Sequence, residues 1–299
     1  MQKNVTENGS RIINYYYDRL GRLTAQTGAE EDTKNFTFDV NNNREALNSP
    51  MGNTSYSYDA AGHLKNPGYS FDANGNQLTG NGKTNTYNGF NQPYETNVKN
   101  STLFYGYDSN GLRINKTVYT GGSEGVEYKD ITYVLDGDQV VIELNEAYNV
   151  VGRYLRGFGL ICSDTGEGSD KTYYNYNAHG DVTQLVNESG NVTKDYKYDS
   201  FGNEINIDSN DTNQFRYSGE YFDKETGYIY LRARYYDPNV GRFISEDSYT
   251  GEISDPLSLN LYTYCGQDPV NHVDPSGHDA IFFTEGLTVK LPFKNIEFS

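Results

Sequence analysis

Tryptophan is absent from this chain of 299 residues, cysteine occurs twice and proline only eight times. Cys162 and Cys265 lie far apart, without CxxC or histidine spacing, which rules out a disulfide framework, argues against a metal site and makes both ordinary strand residues. Basic residues are also short: 24 Lys and Arg face 41 Asp and Glu, a formal charge of −17. Nucleic-acid binding needs clustered cations to displace counterions, so nucleic acid is excluded as a partner of this segment, and anionic membrane surfaces are disfavoured likewise. A cationic partner is compatible with the charge. No apolar run reaches the roughly 18 residues of a membrane span. The opening MQKNVTENGS lacks the basic, apolar and small-residue regions of a signal peptide.

Hydrophobic residues make up 35% of the chain, low for a compact two-layer core, so aromatic side chains must do much of the packing. Tyrosine occurs 29 times and glycine 31 times. A tyrosine can bury its ring while its hydroxyl stays wet or hydrogen-bonded, which suits a sheet with one face in solvent. Frequent glycine with little proline describes a chain that turns often without being a linker.

The first half is a repeat. YYYDRLGRL, YSYDAAGHL, YSFDANGNQL and FYGYDSNGLRI place an Asp three residues before a Gly, at Asp18 and Gly21, Asp59 and Gly62, Asp72 and Gly75, and Asp108 and Gly111. Two degenerate copies carry Asp39 with Asn42 and Asn88 with Asn91. The spacings of 21, 20, 13, 16 and 20 residues between these turns are too short for βαβ units and suit two strands with two turns. The Asp accepts backbone N–H groups two residues on, and the Gly supplies a positive φ that Asn tolerates best among other residues. Alternating aromatics before each Asp fall on one face, where cross-strand ladders of rings are expected. From 121 to 168 the period loosens, with TYVLDGDQVVIEL read as a hairpin, and it returns at Asn177 with Gly180 and Asp199 with Gly202. Helical caps followed by apolar runs are missing throughout, so the chain reads as all-β.

The segment 215–278 differs. YIYLRARYY reads as a hairpin between turn formers, after which Asp, Pro, Gly and Asn dominate. GEYFDKETGYIYLRARYYDPNVGRFISED and NLYTYCGQDPVNHVDPSGH closely resemble the repeat-associated core of Rhs and YD-repeat proteins. These form the shells of bacterial polymorphic toxins and of the C components of insecticidal toxin complexes. The resemblance implies a spiralling antiparallel β-sheet of YD-repeat hairpins, part of a hollow shell, ending in an irregular core plug. It divides the chain into YD repeats at 1–120, further YD-like hairpins at 121–214, the core at 215–278 and a tail at 279–299, the last too short to be a toxin. The shell's open edge is expected to pair with an upstream shell segment or another chain, and the family is secreted or cell-surface associated.

The family also implies aspartic-protease-like self-cleavage just beyond a DPxG motif, freeing C-terminal toxin cargo. That motif is Asp274-Pro275-Ser276-Gly277, which puts the cut between His278 and Asp279. Candidate acids are Asp247, Asp255 and Asp274, with Arg242 orienting or balancing one of them. Two carboxylates must lie close enough to share a proton. Ser248 stands where the family often has Pro, and His278 where Leu is usual. For any one of these Asp residues the plainer reading is a turn that satisfies backbone donors. His63 and His179 occupy turn slots and are expected to be solvated. No cofactor or metal is expected, and Asp-rich turns at 136–139 and 208–213 lack the full calcium-loop pattern. Two rival readings remain: a carbohydrate or cell-surface binding module using rows of exposed Tyr, and a non-functional truncated remnant.

Overall fold

A computed structural model describes residues 2–7, 11–28, 33–122 and 125–282. Strands dominate, and helix among the described residues is limited to short 3-10 turns such as Tyr217–Gly219, Pro256–Leu259 and Cys265–Gln267. Most of the tail, residues 283–299, lies outside the described residues.

Two antiparallel meanders make the wall. A six-stranded sheet runs from Gln2–Glu7 to Gly52–Ser55, and a thirteen-stranded sheet from Ser70–Phe71 to Val192–Asp195, each strand pairing with its neighbour in sequence. The second sheet passes through residues 120 and 121 unbroken, because Arg113–Gly122 pairs along its length with Gly125–Asp136.

The repeat letters have direct structural counterparts. Asp18 Oδ1 accepts the N–H groups of Leu20 and Arg22, and Asp108 Oδ1 those of Asn110 and Leu112, at 2.8 to 3.0 Å. One carboxylate oxygen thus satisfies donors both two and four residues on. The Gly slots take positive φ, 85° at Gly21 and 83° at Gly111, and Asn42 and Asn91 adopt 63° and 60° in the same slot. The tyrosine preceding the turn residue has its own partner: Tyr58, Tyr107 and Tyr198 donate their hydroxyls to the carbonyls of Arg44, Pro93 and Val182 at 2.7 to 3.0 Å. Each acceptor opens the outgoing strand of an earlier turn. Phenylalanine would leave these buried carbonyls one donor short, at about 0.5–1.5 kcal/mol each.

Residues 215–278 pack against one face of this wall. Their four-stranded sheet consists of Tyr221–Asp223, Tyr228–Leu231, Arg234–Asp237 and Arg242–Phe243. Its two central strands are buried on both faces, so the expected one-sided sheet does not hold for this hairpin. The expected ring ladders are also largely redirected. Instead of pairing along the wall, Tyr105 meets Tyr235, Tyr133 meets Tyr221 and Tyr154 meets Phe215, at centroid distances of 5.5, 5.5 and 4.9 Å. Tyr133 of the wall and Phe215, Tyr221 and Tyr235 of the core segment belong to one buried apolar cluster.

Buried charges join the two parts. Asp223 accepts from Arg113 Nη1 at 2.6 Å and Lys116 Nζ at 3.0 Å, all three side chains at most 5% exposed. Asp237 meets Asn81 Nδ2 at 2.9 Å. Both free cysteines are buried, Cys162 in the strand Leu160–Asp164 as expected and Cys265 in a 3-10 turn with φ of 50° rather than in a strand.

Candidate cleavage site

The hairpin of Tyr228–Leu231 and Arg234–Asp237 turns through Arg232, at φ of 59°, and Ala233. The Asp274-Pro275-Ser276-Gly277 turn lies across this hairpin, tied by the Ala233 N–H to the Ser276 carbonyl at 3.2 Å. Gly277 has φ of 74°, and a Cβ there would run into the Leu231 carbonyl oxygen. Only glycine permits so close an approach.

Asp274, 3% exposed, holds its own turn. Its Oδ1 accepts the N–H groups of Gly277 and His278 at 2.8 and 3.1 Å and the Ser276 hydroxyl at 3.3 Å. Burial raises the Asp274 carboxyl above its ordinary value, only partly offset by Arg234 and these hydrogen bonds. Asp247 approaches from the segment after Phe243. Its backbone N–H donates to the Leu261 carbonyl at 3.0 Å, and its Oδ1 accepts from the Tyr249 N–H at 3.0 Å.

Arg234 gathers the site. Its Nη2 lies 2.6 Å from Asp247 Oδ2 and 3.8 Å from Asp274 Oδ2, so both carboxylates converge on one guanidinium nitrogen. Nη1 donates to the Leu261 carbonyl at 2.9 Å, Nε donates to the Gly277 carbonyl, and the Phe243 ring lies 3.7 Å beneath the guanidinium. Burial lowers its pKa to about 10 against the pull of Asp247 and Asp274, so it remains a cation at neutral pH. The His278 ring nitrogen Nδ1 sits 2.9 Å from Asp247 Oδ1.

Asp247, Asp274, Gly277 and His278 are therefore brought together, with Asp279 following directly. Asp255 and Arg242 are not. Asp255 is exposed and caps the Pro256–Leu259 turn by accepting from the Leu257 N–H at 3.3 Å. Arg242 is buried between the Tyr58 and Tyr262 rings and donates to Asn43 Oδ1 and the Gly62 carbonyl at 2.8 and 2.7 Å. Its expected place beside an acid belongs to Arg234. Arg234 and Arg242 sit on neighbouring strands of one small sheet, and nothing local in LRARYY or VGRF distinguishes which of the two meets the later loop. The two turn histidines are also not solvated. His63 is 20% exposed and stacks on Phe71 at 4.7 Å, and His179 is 12% exposed. No group of three His, Cys, Asp or Glu able to hold a metal exists among the described residues, and none of their helices is long and apolar enough to cross a membrane.

Residues 1–270 match the family described as Teneurin YD-shell. The chain is 35% identical over 288 residues to the tRNA3(Ser)-specific nuclease WapA of Bacillus spizizenii, covering 92% of this chain and 11% of that protein. It is 34% identical over 287 residues to the tRNA nuclease WapA of Bacillus subtilis strain 168, with the same coverage. It thus spans about a ninth of the curated relatives it matches. Among solved structures it overlays the TcdB2-TccC3-Cdc42 crystal structure with a TM-score of 0.75 at 21% identity, over 89% of this chain and 15% of that one, a likeness of fold. Repeat turns, inner plug and sequence kinship agree: the chain belongs to the YD-shell family of Rhs and toxin-complex proteins.

Proposed function

We propose that this chain is the closing part of a toxin-encapsulating shell and cuts itself once between His278 and Asp279. The observation that carries the reading is the convergence of Asp247 and Asp274 on Arg234 beside that bond. Two carboxylates in unlike surroundings divide acid and base work. Asp274, raised by burial, serves as the protonated acid, while Asp247, paired with Arg234, serves as the base. Water loses a proton to Asp247 and adds to the His278 carbonyl carbon. Asp274 donates a proton at the carbonyl oxygen, the C–N bond breaks, and the leaving nitrogen of Asp279 takes up a proton as the carboxyl forms. Arg234, through the Gly277 carbonyl, positions the residue before the bond.

On this reading the nuclease activity in the relatives' names resides in released cargo, and this chain, with its charge of −17, contributes containment. The exposed sheet edges pair with further shell in a longer protein, which is secreted or surface-associated. The test is the intact mass of the purified chain held for a day at neutral and mildly acidic pH, beside Asp247→Asn and Asp274→Asn. Loss of everything after His278 in the parent alone supports the reading. An uncut parent refutes it.

A second reading has its own observation. Phe104, Tyr119 and Tyr128 are 37, 39 and 48% exposed on adjacent strands, with ring centroids 5.9 and 5.2 Å apart. Thr117, Asn115 and Asp130 form a hydrogen-bonded cluster beside them. Rings flanked by such groups suit the apolar face and hydroxyls of a neutral polysaccharide. Retention on a polysaccharide column that disappears in Tyr119→Ala and Tyr128→Ala supports this reading, and passage of the parent in the void refutes it.

A further inference from the structure

His179 sits in the turn Asn177 to Asp181, on the wall, and its ring is 12% exposed. Its Nδ1 lies 2.9 Å from Asp181 Oδ1 and its Nε2 lies 3.2 Å from the His272 carbonyl oxygen. Both neighbours are acceptors. A neutral imidazole carries one N–H and satisfies one of them, leaving a ring lone pair against an oxygen lone pair at the other, whereas an imidazolium donates to both. Asp181 is firmly ionised for this role. It accepts from the Ser218 N–H and Asn177 Nδ2, each at 2.8 Å, and although burial opposes its charge, His179 and these bonds hold its carboxyl below the ordinary value.

The far end of this bridge is informative. His272–Val273 is a short strand that pairs with Ile281–Phe282, and the next residue is Asp274. The carbonyl held by His179 is thus two residues ahead of the buried acid, while the paired strand begins two residues past Asp279. A cavity of about 180 Å³ lies between the wall turn and the DPxG turn, lined in part by His179, Ser218, Glu220 and Asp274. It opens beside the acid, and His179 spans one side of it.

We propose that a doubly protonated His179 is a positioning residue for self-cleavage, latching the strand that carries Asp274 to the wall. The proposal rests on the self-cleavage reading for its role and on geometry alone for the latch. Among the described residues, titratable groups beside the ring or lining the adjoining cavity come from three elements. Asp181 is on its own turn, and the Tyr217 ring, 5.5 Å away, and Glu220 come from the 217–220 segment. His272 and Asp274 come from the latched strand, and His272 is itself held by Asp268, at 3.4 Å, which raises its pKa. Deprotonating His179 removes one of the two donor contacts, so the strand loosens and Asp274 drifts from Arg234 and the scissile bond.

The experiment has two arms on the full chain. In the first, self-cleavage is followed by intact mass from pH 5 to 9 in the parent, His179→Gln and Asp181→Asn. The expected result is a roughly tenfold slower cut in both variants at pH 6, with the parent alone showing the limb that falls as His179 deprotonates. Variant profiles superimposable on the parent's overturn the proposal. In the second arm, ¹⁵N resonances of the His179 ring are recorded in uncut Asp247→Asn protein. Two protonated nitrogens at pH 7 are expected, and a single neutral tautomer overturns the latch. An uncut parent with a doubly protonated His179 refutes self-cleavage and the positioning role while leaving the latch. A cut parent with neutral His179 refutes the latch alone.

Discussion

Asp223→Asn is the sharpest test of how the core segment is seated. Asp223 is fully buried and lies between Arg113 Nη1 and Lys116 Nζ, two wall cations that are 1% and 5% exposed. Five tyrosine rings, of residues 105, 133, 221, 230 and 235, surround the Arg113 guanidinium within 6 Å. The amide keeps the shape of the carboxylate and one acceptor but removes the charge, leaving Arg113 without its ion pair and Lys116 with Glu225 at 3.1 Å. Removing one partner from a buried ion pair costs about 3–5 kcal/mol, which for a chain of this size lowers Tm by about 6–15 °C. Burial would raise the Asp223 carboxyl, but Arg113 and Lys116 outweigh it and hold it below the ordinary value. A depressed carboxylate stabilises the fold above its unfolded pKa of about 3.9 and loses that contribution as pH falls through the folded value. The gap between parent and variant, measured by circular dichroism melts, is therefore full at pH 7 and closes below about pH 4. Asp208→Asn is the control: its carboxylate is 45% exposed where it meets Lys194, and no measurable shift is expected. A triple variant, Asp223→Leu with Arg113→Leu and Lys116→Met, is expected to recover most of the loss because no charge is then buried alone. A Tm for Asp223→Asn within about 2 °C of the parent refutes the seating argument.

Tyr148, 75% exposed, takes the positive-φ slot of its turn at φ of 58°, so Tyr148→Gly is expected to stabilise the chain by a few tenths to about 1 kcal/mol in denaturant melts. Gly277→Ala pushes the DPxG turn off the Leu231 carbonyl, and intact mass is expected to show cleavage lost while the melting profile keeps a cooperative transition. Because burial raises the Asp274 carboxyl and the acid works protonated, the cut in the parent slows as pH rises through that pKa, read as a falling limb in the same mass assay. His278→Leu removes the ring from Asp247 Oδ1 and frees the base, so a faster cut is expected in the same mass assay.

The repeat was legible because its unit is local. An Asp whose side chain bonds two and four residues on, and a Gly or Asn at positive φ, are decided within five residues. Asn42 and Asn91 were recognisable for that reason. The turn Asn145 to Tyr148 escaped because tyrosine is a poor occupant of its slot, although Asn145 accepts from Ala147 and Asn149 as the Asp of other units does. The site was legible only in part. The family resemblance names Asp247 and Asp274, which the structure sets on one arginine, but it names Arg242 where that arginine is Arg234, and turn position alone predicts a solvated His179.

That difference has one physical origin. Strand alternation, turn chemistry and charge are properties of short stretches, so the sequence by itself determined an all-β meander, its turn positions and its acidic character. Which arginine faces which carboxylate depends on a loop crossing a hairpin 27 residues away at Leu261 and 43 away at Gly277. Whether a turn histidine sees water or two acceptors depends on a contact across 93 residues. Whether the tyrosines pair along the wall or against the plug depends on which segment covers that face of the sheet. Those choices follow from burial and convergence of distant segments, and only the tertiary structure decided them.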